Sequence, residues 1–306
     1  MINRLRAASG NVQCMKRILL HEYLMGTLLI QASVRLAIKG CFNEWFFAFL
    51  GVFAAYSILI YYGIKTSSLI INKIRLFSNL VVMFFAYSST KYTVPVFFGD
   101  YTYDAKLTAI DKSIFGTDLS HSAQDIYSPI LTDLMSTGYM SYYVVIAATF
   151  LYFGFLSSIE KFCKYCMGFF IVFGTGIIFY SIIPAVGPYV YYKGTYVKEL
   201  TGGFLTELNN IVVQSGSAKF DVFPSLHMGV SLFVLLFLFF NARKGFYTFV
   251  IPFLFLISST IYLRYHYFID LICGALLSII VFVLISWVFK KYTPDILQKE
   301  EITVHS

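Results

Sequence analysis

"FPSLHMGVSLFVLLFLFF", residues 223–240, decides how this chain folds. A short motif holding His227 runs directly into an uncharged apolar stretch. In hydrocarbon such a stretch forms a helix, because its backbone N–H and C=O groups must be satisfied within the segment. The histidine therefore stands at the edge of a membrane. It is either a polar residue satisfied by a neighbouring backbone group or half of a reaction centre, and its surroundings decide between the two.

Composition extends this reading to the whole chain. Of the 306 residues, 58% are hydrophobic and 13% charged, and the mean hydropathy is +0.73, far from that of a soluble domain. The expected fold is an all-α polytopic membrane protein with about eight transmembrane helices. Apolar runs near the length needed to cross a bilayer fall at 18–38, 44–63, 77–98, 138–157, 165–187, 224–241, 246–264 and 269–289. His21, Glu22 and Arg35 lie near the ends of the first run, which could instead lie along the interface. The alternating pattern of an outer-membrane barrel is absent.

Basic residues orient the bundle. Arg4, Arg6, Lys16, Arg17, Lys65, Lys73, Arg75, Lys161, Lys164, Arg243, Lys244, Lys290, Lys291 and Lys299 fall on the side of both termini, which places the termini inside. The longest outer loop carries Asp100, Asp104, Asp111, Asp118, Asp125 and Asp133 and is not a polybasic surface. The net charge of +7 is thus a topology signal, and no nucleic-acid partner is expected. The chain divides into a tail with three spans (1–98), an outer loop (99–137), a helical core (138–290) and a cytoplasmic tail (291–306). The opening "MINRLRAASGNVQCMKR" reads as a retained cytoplasmic tail. In the outer loop Leu107, Ile110, Ile114 and Phe115 recur at helical spacing until Gly116, which predicts a short interfacial helix. The loop 188–223 contains an amphipathic piece punctuated by Gly202, Gly203 and Gly216. The five cysteines form no disulfide framework, and Cys163 and Cys166 read as small apolar residues at a helix end.

The chemistry lies in a second stretch, "YLRYHYFIDLICG", residues 262–274. His266 and Asp270 are four residues apart, and on a helix that spacing stacks them on one face. A carboxylate beside an imidazole fixes its tautomer and leaves the other ring nitrogen free to act as nucleophile or base. Topology brings His227 and His266 to the same membrane level, and ionisable groups at such a depth usually mark a function. A proton relay in a transporter would also use these residues, but it predicts discontinuous helices and paired repeats.

The phrase "FPSLH" at 223–227 followed by "TIYLRYHYFID" at 260–270 resembles the second and third signature motifs of the type 2 phosphatidic acid phosphatase superfamily. Within it, the likeness is to the inositol phosphorylceramide synthase branch and its bacterial relatives, which "AIDKSIFGTD" at 109–118 also resembles. The resemblance covers residues 100–290 and implies a phosphatase-like helical core. It implies that His266 takes the phosphoryl group, Asp270 orients it, and His227 protonates the leaving alcohol. Ser225 and the first amides of its helix would hold phosphate oxygens. Two features depart from the superfamily. Thr260 stands where lipid phosphatases carry an arginine, and "IPAVGPYVYYKG" at 183–194 replaces the first motif, with Tyr189 where the bacterial relatives often have arginine. Arg264, with Lys193 and Lys219 behind it, is the substitute expected to neutralise the phosphate, although Arg264 could equally snorkel to the interface.

The resemblance implies a lipid phosphotransferase that moves a phosphoinositol-like head group from a glycerophospholipid to a ceramide-like or other lipid acceptor through a phosphohistidine. The alternative is a lipid phosphatase acting on phosphatidic acid or a polyprenyl phosphate. No metal or other cofactor is expected, and the partners are lipid substrates and the membrane. A bacterial cytoplasmic membrane with the site on its outer side is the expected location; a Golgi-type membrane with a luminal site has the same topology.

Overall fold

A computed structural model describes residues 15–292. The tail readings for 1–14 and 293–306, with Arg4, Arg6 and Lys299, lie outside the described residues. Ten helices of eight or more residues are described: α1 Leu20–Ile38, α2 Glu44–Lys65, α3 Leu69–Phe98, α4 Asp104–Phe115, α5 Pro129–Leu156, α6 Ile159–Tyr180, α7 Phe204–Gly216, α8 Leu226–Asn241, α9 Arg243–Tyr262 and α10 Phe268–Tyr292. No strand occurs among the described residues.

Six of these helices, α2, α3, α5, α6, α9 and α10, are long and apolar enough to cross a membrane. α8 is apolar but shorter, at 16 residues. α1 fills the place of the first expected span and packs into the bundle against α2, α3 and α6, burying His21, Glu22, Met25, Leu28 and Leu29. Ile58, Phe84, Ile251 and Val283 are exposed on the bundle's outer faces, as lipid contact requires.

Several helices start before their apolar runs do. α3 begins at Leu69, with Ser68 Oγ accepting the Ile71 N–H, instead of near residue 77. It therefore takes Asn72, Arg75 and Asn79 into the interior, where each is fully buried. Arg75 is not the loop cation the topology reading assumed. Its guanidinium grips both Glu22 oxygens at 2.6 Å and donates to the Met15 and Arg17 carbonyls at 2.7 Å. Tyr56 donates to Asn79 Oδ1 at 2.5 Å. α5 likewise starts at Pro129, capped by Ser128, and α6 at Ile159, capped by Ser158. Cys163 and Cys166 are buried within α6.

α6 is the central post, packed against α1, α3, α5, α8 and α10. The contact that matters most for the site is α8 on α10. Gly229 of α8 faces Gly274 of α10: a Cβ on Gly229 would lie 3.1 Å from the Gly274 carbonyl oxygen, and one on Gly274 would lie within 3.0 Å of the Ser225 carbonyl oxygen. Only at glycine can two helix backbones approach this closely, so the "SLHMG" and "FIDLICG" stretches meet main chain to main chain.

Candidate active site

The histidine-bearing segments are joined through their backbones. The Ser225 N–H donates to the Asp270 carbonyl at 3.0 Å, tying the N-terminus of α8 to the first turn of α10. Ser225 is the N-cap of α8, its Oγ accepting the Met228 N–H at 3.3 Å, and it is fully buried. His227 follows in the first turn of α8. His266 sits in the tight connection between α9 and α10, where the Thr260 carbonyl accepts both the Tyr265 and His266 amides, at 2.9 and 3.1 Å. The Thr260 hydroxyl turns back to the Ile257 carbonyl at 2.7 Å.

These constraints bring the two imidazoles into contact. His227 Nδ1 lies 3.2 Å from His266 Nε2, a hydrogen bond in which one ring donates and the other accepts. The other His266 nitrogen, Nδ1, is 3.5 Å from Asp270 Oδ2. That approach lacks hydrogen-bond geometry, and Oδ2 instead accepts the Tyr267 amide at 2.9 Å. His266 Nδ1 and Asp270 Oδ1 are both buried without a hydrogen-bond partner. Burial pushes the His266 imidazole down to about 4, with the Asp221 carboxylate acting the other way. His266 is therefore neutral at ordinary pH. Tyr139 and Tyr142 wall His227, their ring centroids 4.7 and 4.6 Å from its own.

The loop 99–137 braces this site, a role that was not read from sequence. α4 forms as predicted and ends at Gly116 in the left-handed conformation. Asp111 Oδ2 accepts the Phe268 N–H at 2.6 Å and Oδ1 the Ile269 N–H at 3.0 Å, so the carboxylate caps the first turn of α10 beside Asp270. Asp104 accepts the Val186 and Gly187 amides, and the Tyr267 hydroxyl at 3.0 Å. The amphipathic piece of the second loop is α7, whose start is held by Asp133 accepting the Gly203 and Thr206 amides. Asp221 accepts the Tyr87 hydroxyl, joining the α7–α8 loop to α3.

The expected phosphate ligands are distributed differently. Arg264 is 4% exposed, with its guanidinium 3.7 Å over the Tyr196 ring and one N–H donated to the Lys198 carbonyl at 2.7 Å. It is a buried strut of the loop 188–203 and does not snorkel, and its backbone takes the left-handed region, φ 67°. The Arg264 carbonyl accepts the Tyr189 N–H at 2.6 Å, while the Tyr189 ring is exposed. Lys193 and Lys219 are exposed, and Lys219 Nζ lies 5.2 Å over Phe220. The structure thus gathers His227, His266, Asp270 and Ser225, and leaves Lys193 and Lys219 at the surface.

A helical membrane bundle with two touching histidines and a carboxylate behind one of them defines the class of protein. The PAP2 superfamily profile matches residues 105–284, from α4 through most of α10, and the chain belongs to that superfamily. It is 28% identical over 207 residues to the inositol phosphorylceramide synthase of Candida albicans, covering 61% of this chain and 42% of that protein. It is 29% identical over 120 residues to the inositol phosphorylceramide synthase catalytic subunit of Saccharomyces cerevisiae, covering 35% of this chain and 30% of that one. A PA-phosphatase related-family protein of Dictyostelium discoideum is 34% identical over 142 residues, 44% of this chain and 23% of its own length. The chain therefore spans less than half of each of these relatives. No solved structure matches it.

Proposed function

We propose that this protein is a membrane lipid phosphotransferase that moves a phospho-alcohol head group, phosphoinositol-like, from a glycerophospholipid to a ceramide-like or other lipid acceptor. The observation that carries the reading is the contact of His227 Nδ1 with His266 Nε2, backed by Asp270. The two fungal synthases support transfer as the reaction.

The chemistry runs in two balanced steps. A lipid phosphodiester enters between the rings, and the His266 Nε2 lone pair attacks phosphorus. The P–O bond to diacylglycerol breaks, and the leaving oxygen takes a proton from His227, which enters the step as imidazolium beside the anionic phosphodiester and leaves it neutral. Asp270 faces the Nδ1–H of His266 and offsets the positive charge that develops on that ring. In the second step His227, now a base, takes the proton of the acceptor hydroxyl. The acceptor oxygen attacks phosphorus and the N–P bond breaks, regenerating both histidines. In this reading the positive end of α8, at Ser225, offsets the charge that gathers on the phosphate oxygens. The site faces the outer side of the membrane in this reading, with the basic ends of the helices inside.

Hydrolysis is the second reading, supported by the Dictyostelium relative; it differs only in that water replaces the lipid alcohol. Mass-spectrometric product analysis of the purified protein in mixed micelles separates the two. With phosphatidylinositol and ceramide, head group is expected on ceramide, and none with His266→Ala. Inorganic phosphate released from phosphatidic acid without lipid-to-lipid transfer would make the protein a phosphatase. Undiminished turnover by His266→Ala would refute the histidine mechanism.

A further inference from the structure

α7 covers the outer end of α5, turning Phe204 and Ile211 outward and burying Thr206 and Asn209 beneath. Asn209 is fully buried. Its Nδ2 donates to the Tyr265 hydroxyl at 2.9 Å, and its Oδ1 is buried without a hydrogen-bond partner. The Tyr265 ring lies 4.8 Å from Tyr139, whose ring in turn lies 4.7 Å from that of His227 at a tilt. Because Tyr265 Oη already accepts from Asn209, its own proton is the part of the hydroxyl left to donate. One residue before His266, the chain thus presents an unused acceptor and an unused donor side by side.

A buried carbonyl oxygen left unpaired costs free energy, which a ligand donor recovers on binding. Phosphate oxygens have no proton to give and are repelled by that carbonyl. A quaternary ammonium cannot donate to it. An alcohol hydroxyl both donates and accepts, and matches the pair. We infer that Asn209 and Tyr265 form a receptor for a hydroxyl group of a neutral alcohol, and so set which alcohol the enzyme handles. The inference rests on the phosphotransferase reading. The hydroxyl belongs either to the head group of the donor lipid or to the lipid acceptor.

Single-turnover release of diacylglycerol, measured without acceptor, tests this with Asn209→Leu and with Tyr265→Phe, which keeps the ring and its packing. Donors are phosphatidylinositol, phosphatidylcholine and phosphatidic acid, the last having no head-group alcohol. If the pair reads the head group, each variant lowers the single-turnover rate at subsaturating phosphatidylinositol about tenfold, the worth of one hydrogen bond whose loss strands a buried partner, while phosphatidic acid and phosphatidylcholine change little. If it reads the acceptor, release is unchanged and the KM for ceramide rises by a similar factor. Equal losses on all three donors, or no change in either step, would overturn the inference while wild-type transfer leaves the function standing. Failure of the wild-type protein to release diacylglycerol from any donor would overturn both.

Discussion

Replacing Gly274 by alanine tests how tightly the site is held. The new Cβ would fall within 3.0 Å of the Ser225 carbonyl oxygen and 3.2 Å from the Gly229 nitrogen. Both obstacles are main chain, so no side chain can swing aside. Restoring ordinary contact moves α8 from α10 by on the order of 1 Å, since packed interiors have little free volume to absorb a methyl group. That displacement acts on the Ser225 N–H to Asp270 carbonyl bond and, through it, on the 3.2 Å separation of His227 and His266. Misplacing reacting groups by about 1 Å costs roughly 100-fold in rate, and overpacking of this kind costs about 1–3 kcal/mol of stability. Single-turnover diacylglycerol release should fall by that factor, and thermal unfolding in detergent should shift downward. Gly51→Ala is the control, because a Cβ there meets nothing within 4 Å. Wild-type rate and melting in Gly274→Ala would show that the close helix contact does not set the histidine spacing.

Two further outcomes follow from buried charges. With His266 lowered to about 4, its neutral form, which the proposed mechanism needs as nucleophile, is present above that pH and is lost as pH falls through it, so under that mechanism the acid limb of diacylglycerol release should lie well below 6.5; a limb at 6.5 or above would refute that neutral resting state. Glu22→Gln leaves Arg75 buried without its carboxylate and should destabilise the protein by about 3–5 kcal/mol in detergent melting, whereas the double change Glu22→Gln with Arg75→Met should cost distinctly less.

The parts of this molecule readable from sequence are those whose signal is local. His266 and Asp270 are four residues apart, and the apolar runs mark the spans without any partner being known. The helix starts were less legible. Arg75, Asn72 and Asn79 look like the end of an apolar run, yet Arg75 and Asn79 are satisfied inside by Glu22 and Tyr56, tens of residues away. The outer aspartates were read only as charges. Asp104 and Asp111 hold main-chain amides up to 158 residues distant, and an amide leaves no mark in the residue alphabet. Arg264 was expected at a phosphate because it is the cation nearest His266 in sequence, but the left-handed turn at this residue carries it onto Tyr196. Asn209 sits in a polar loop segment, where nothing separates it from Asn210 until α7 is packed and one of the two is buried.

The grip of Asp104 and Asp111 on main-chain N–H groups divides the freedom to vary unevenly across the molecule. Every residue except proline offers the same amide, so Val186, Phe268 and Ile269 could each be exchanged without loosening the grip. The two carboxylates have no such latitude, since asparagine supplies one acceptor oxygen and alanine none. Drift at Val186, Phe268 and Ile269 leaves the grip intact, whereas drift in the holders, or at Gly187 with its positive φ, does not, so these three positions around the histidines can change side chains while the grip stays put.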